Sequence, residues 1–107
     1  MRRINTAHSY HDADVRSVSF ENNDSVVFDV VLCGCSEAPS ATVHLTFHRV
    51  RNIDAIRKFI DALLATSGQR QGRVAEIVGF VRDTDRRFLL DLDSGPLYVE
   101  ARGFTET

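Results

Sequence analysis

The chain reads as an α+β domain: an antiparallel sheet of about six strands in β-β-β-α-β-β-β order, with one helix packed on one face or plugging the mouth of a partly closed sheet. Three observations predict this. Short alternating apolar runs fall into two blocks, one in each half of the chain. A strongly amphipathic segment, residues 53 to about 65, separates the blocks. In the second block, two independently placed turns assemble one continuous apolar face across three strands. At 107 residues the chain is one domain, 1–107, long enough to bury a core without disulfide or metal staples.

Residues 1 to about 10 are polar and aperiodic, which predicts a loosely held arm. The first strand is expected from about 15 to 21. Asn22, Asn23 and Asp24 then make a turn, because Asn and Asp tolerate left-handed backbone and bond locally. A second strand over 25–33 sends Val26, Phe28, Val30 and Leu32 to one face. A three-residue turn sets Phe20 opposite Val26 and Val18 opposite Phe28, so the two apolar faces agree. A Gly- and Pro-bearing loop over 34–40 leads to a third strand in which Val43, Leu45 and Phe47 alternate with Thr42, His44, Thr46 and His48.

In the helix, Ile53, Ile56, Phe59, Ile60, Leu63 and Leu64 form the stripe, with Asp54, Arg57, Lys58 and Asp61 off it. Asn52 suits the N-cap, and Gly68 suits a left-handed end. A turn at residues 83–86 sets Ile77 opposite Leu92, Gly79 opposite Leu90 and Val81 opposite Phe88. A turn at 93–96 sets Leu92 opposite Leu97, Leu90 opposite Val99 and Phe88 opposite Ala101. Gly79 then leaves a gap that Phe59 can fill. The expected core is Val18, Phe28, Val30, Leu45, Phe47, Ile56, Phe59, Ile60, Leu63, Ile77, Leu90, Leu92 and Val99.

This register leaves Val78, Phe80, Leu89 and Tyr98 on the reverse face of the second block, large enough together for a partner contact. The alternative is that the sheet curls, or that the first block covers this face. Charge argues against some partners. Thirteen basic residues stand against fifteen acidic ones, for a net charge of −2, which does not suit a nucleic-acid binder. No apolar run reaches the ~20 residues of a membrane span, and no apolar stretch follows Arg2 and Arg3 as in a secretory signal. A soluble cytoplasmic protein is expected.

Candidate chemistry is sparse. His11 and Asp12 sit just before the first strand, where they can be an acid–base element or a polar turn that satisfies backbone groups. His44 and His48 share a strand face but stand ~13 Å apart along it, too far to share a metal ion. Cys33 and Cys35 have no second cysteine pair to complete a structural metal site, so no metal or cofactor is expected. No glycine-rich phosphate loop is present. Asp83, Asp85, Asp91 and Asp93 read as turn and strand positions, and Arg49, Arg51, Arg86 and Arg87 as solvated strand and loop ends.

Tyr10-His11-Asp12, followed by Val15-x-x-Val18-x-Phe20, a turn and a strand of alternating hydrophobics, resembles a loose group of small bacterial proteins. These open with His-Asp-x-x-hydrophobic, and some members are immunity-protein-like, neutralising toxins from neighbouring cells. The resemblance covers about residues 10 to 47, and this chain departs from it in having a helix between the strand blocks. It implies a bacterial, non-enzymatic binding role and assigns no site residues. The expected function is therefore a protein-binding or self-associating module, with a homodimer as its self-associated form, working through Val78, Phe80, Leu89 and Tyr98. The alternative is a small-molecule-binding protein or small enzyme with a pocket between sheet and helix and polar groups from His11, Asp12, His44 or His48.

Overall fold

A computed structural model describes residues 10–32, 42–67 and 74–107. Strands β1 (Ala13–Glu21), β2 (Ser25–Val31) and β3 (Thr42–His48) precede helix α1 (Ile53–Ser67). Strands β4 (Ala75–Thr84), β5 (Arg87–Leu92), β6 (Gly95–Glu100) and β7 (Gly103–Glu106) follow it. The strands form one antiparallel sheet in the order β6-β5-β4-β1-β2-β3-β7. The fold is α+β, and the seventh strand adds to the six expected. Its four residues carry one apolar side chain, Phe104, so no alternation announced it; pairing along β3, with Phe47 opposite Phe104, makes it a strand. The expected arm, the Gly/Pro loop, Cys33, Cys35 and Gly68 lie outside the described residues.

β6 and β7 occupy opposite edges of the sheet, yet Ala101 and Arg102 alone separate them in the chain. The sheet must therefore curl until its edges approach. Aromatic contacts show the curl from inside. The Phe47 ring of β3 lies 5.9 Å from Phe80 of β4 and 5.5 Å from Phe88 of β5. Phe104 meets Phe80 at 5.3 Å and Phe88 at 5.5 Å. The core is the lumen of this curl. Ile56, Ile60 and Leu63 of α1 are buried with it, each contributing about 1.5–3 kcal/mol. Of the expected core residues, Val18 and Phe59 are only partly buried and the others are buried.

β1 and β2 take the expected register beside their turn, with Val18 opposite Phe28 and Phe20 opposite Val26, and shift by one between Val15 and Ser17. Asn22 (φ 52°) and Asn23 (φ 63°) supply the left-handed turn. The second block differs in two ways. An irregularity between Ile77 and Gly79 shifts the ladder by one, so Phe80 faces Leu90, Val81 faces Leu89 and Gly79 faces Asp91. A shift of one residue exchanges the two faces. Phe80 therefore points into the lumen, and Gly79 leaves no inward gap. The β5–β6 turn is also tighter than expected: Asp93 and Ser94 form it and Leu92 faces Gly95, helped by positive φ at Gly95. That shift is two residues, so Phe88, Leu90, Leu97 and Val99 remain inside.

Asn52 holds the expected N-cap position, but its side chain is used elsewhere. Its carbonyl accepts the first helical bond, from Ile56 N–H. Its side-chain amide instead donates to the Tyr98 carbonyl (2.8 Å) and accepts from the Glu100 N–H (2.9 Å). An amide on a side chain thus pairs the open edge of β6 as a strand would, and blunts it.

Candidate functional site

The residues singled out in the sequence do not converge. His11 and Asp12 form the turn that leads into β1. His11 Nδ1 donates to the Val78 carbonyl (2.8 Å), Asp12 N–H donates to the Ile77 carbonyl, and the two side chains meet at 3.5 Å. The pair thus ties down the backbone where β4 departs from regular register, a structural use. His44 faces Asp29 across the ladder, and its Nδ1 lies 2.6 Å from Asp29 Oδ1. Ser17 Oγ donates to Asp29 Oδ2 (2.7 Å), completing a Ser17–Asp29–His44 row on the outer surface. His48 Nε2 bonds Thr105 Oγ1 (2.9 Å), away from that row. No group of three or more metal-ligating side chains occurs among the described residues.

The expected apolar contact face is also reduced. Phe80 packs inside against Tyr10, Phe47, Phe88 and Phe104. Leu89 faces outward but is only 7% exposed. Val78 (45%) and Tyr98 (41%) remain exposed, and the Arg87 guanidinium covers the Tyr98 ring at 5.1 Å.

The feature that the linear sequence concealed is a cleft of about 240 Å³ lined by Arg49, Arg51, Arg86, Arg102 and Ala101. Its arginines come from three connections: the β3–α1 link, the β4–β5 turn and the β6–β7 corner. Backbone bonds knit these together. Ala101 N–H donates to the Arg86 carbonyl (2.9 Å), Arg102 N–H to the His48 carbonyl (3.0 Å) and Arg51 N–H to the Glu100 carbonyl (2.7 Å). Among the described residues, no acidic side chain lines the cleft. Among the described residues, none of the four guanidinium groups has an ion-pair partner, whereas neighbouring Arg87 is held by Asp83. Arg49 also holds a left-handed backbone conformation (φ 54°), which costs a side chain other than Gly about 1 kcal/mol. Backbone strain of this kind gathers at functional sites.

Four cations gathered in a protein of net charge −2 repel one another and favour an anion between them. Arginine forks suit carboxylate and phosphate oxygens, which they bind in pairs. No sequence signal short of the tertiary fold marked this site, since each arginine in isolation reads as a solvated loop residue. No helix among the described residues is long and apolar enough to cross a membrane. Comparison of the chain with protein-family models, with curated proteins and with solved structures finds no match.

Proposed function

We propose that this protein is a binding module that docks an anionic segment of a partner protein in its arginine cleft. The observation that carries this reading is the convergence of Arg49, Arg51, Arg86 and Arg102 on one cavity without a described counter-charge. The non-enzymatic role implied by the His-Asp opening points the same way. Self-association through the outer face of the second meander has less support, because Val78 and Tyr98, the latter under the Arg87 guanidinium, are the exposed large apolar side chains of this face among the described residues.

Fluorescence anisotropy with a labelled oligoglutamate peptide tests the reading. Binding should weaken as salt is raised, since exposed charges are screened over ~8 Å at physiological ionic strength. The double variant Arg86→Ala/Arg102→Ala should bind at least about tenfold more weakly, because each charge-assisted bond is worth about 1.5–3 kcal/mol. Equal affinity in the variant would remove the cleft from the binding surface. Light scattering addresses self-association separately, and a strict monomer leaves the cleft reading intact.

A further inference from the structure

We infer that the group the cleft is built to hold is a phosphate monoester, not a carboxylate; this rests on the cleft being the recognition site. The first ground is stoichiometric. A carboxylate offers two oxygens and a single charge, enough for one or two guanidinium forks. A phosphate monoester offers three terminal oxygens and a charge of about −1.5 to −2 near neutrality. Four arginines line the cavity, so the group with more acceptors and more charge makes fuller use of them.

The second ground is space. The cleft's 240 Å³ is about eight times the ~30 Å³ share of one water, so a phosphoryl group fits together with the side chain that carries it. The third is preorganisation. Three interlocked connections fix the arginine backbones before any ligand arrives, so less ordering is required on binding.

The lining argues against a nucleic-acid backbone as the source of the phosphate. Among the described residues, Ala101 is its one uncharged member, and none of the lining residues is aromatic, so none offers a ring for a base to stack on. A phosphorylated side chain on a protein is the occupant that fits both the cleft and its setting.

Isothermal titration of the full chain, at physiological ionic strength, compares four probes: a short Gly/Ala peptide with one phosphoserine, the same peptide with Glu in that place, inorganic pyrophosphate and a short single-stranded oligonucleotide. The phosphopeptide should bind at least about tenfold more tightly than its Glu counterpart, one extra charge-assisted contact being worth that much. Arg86→Ala and Arg102→Ala should each lose about tenfold. Arg86→Lys should lose much of the preference although it keeps the charge, because an ammonium lacks the planar fork. Arg87→Ala should change nothing, since Asp83 already occupies that guanidinium. Thermal melts confirm that each variant is folded.

Equal binding of the phosphoserine and Glu peptides would overturn the phosphate inference and leave the acidic-dock reading standing. Binding of neither would overturn both. Pyrophosphate binding more tightly than the phosphopeptide would support phosphate chemistry with a small molecule as its source. An oligonucleotide binding more tightly than all would overturn the assignment.

Discussion

The hairpins that open the two meanders are built from equally clear alternation, yet β1–β2 keeps, beside its turn, the register that alternation and turn placement predict, and slips only farther along, between Val15 and Ser17. In β1–β2 the turn is three residues with two left-handed Asn, and Val18 and Phe20 meet Phe28 and Val26 as expected. In β4–β5–β6 the turns close differently and β4 carries an irregularity at Val78. The contrast teaches that a slip of two residues is silent, whereas a slip of one is not. The β5–β6 slip changes each partner but no face. The β4 slip turns Phe80 inward and Val81 outward, and so converts an expected contact residue into part of the aromatic core.

The sharpest way to break the comparison is to charge each side of the β4 irregularity. Phe80→Asp should cost about 3–5 kcal/mol, because it removes a ring packed among four others and places a carboxylate in the lumen. Val78→Asp, two residues earlier and exposed, should stay within about 0.5 kcal/mol. Urea denaturation of both decides it; similar losses would mean that Phe80 is not inside.

A smaller effect is expected at the seam where the meanders close. Asn52→Ala leaves the Glu100 N–H and Tyr98 carbonyl without their side-chain partner and should cost about 1–3 kcal/mol. It should also raise aggregation, since the edge of β6 is then open. A variant that melts and scatters light like the parent would show that the closure does not depend on this amide.

At the same corner, Arg49→Gly should raise stability by up to about 1 kcal/mol by relieving its left-handed backbone, while weakening anion binding. Opposite signs in a thermal melt and a binding titration are the expected signature. A loss of both would mean that the arginine side chain stabilises the corner even without a ligand.

The smallest effect is confined to alkaline pH. Burial, then the hydrogen bond to Glu106 and that group's negative charge, push the Tyr10 hydroxyl above its ordinary value of 10.0. The folded state therefore keeps a proton that the unfolded chain releases, so this contribution is complete below about pH 10 and is lost as pH rises beyond it. The melting temperature should fall more steeply above pH 10 in the parent than in Tyr10→Phe. Parallel curves would place Tyr10 outside the alkaline transition.

Much of the architecture was legible in the chain. The amphipathic stripe placed α1 from Ile53, and its expected end near 65 falls two residues short of Ser67. The alternating runs located six strands and most of the core. β7 was not legible, because four residues with one apolar side chain show no period. The irregularity at Val78 was not legible either, since the His11 and Asp12 bonds that hold it reach Val78 and Ile77, 67 and 65 positions away along the chain. Nor was the role of Asn52, whose N-cap position was apparent but whose side-chain partners lie on β6.

By itself the sequence determined which segments coil, which extend and which side chains seek the interior, because those preferences are set by neighbours within a few residues. The tertiary structure alone decided that Arg49, Arg51, Arg86 and Arg102 share a cleft. They stand in three separate connections, and only the curling of the sheet, driven by burial of the Phe47, Phe80, Phe88 and Phe104 rings, draws those connections to one corner.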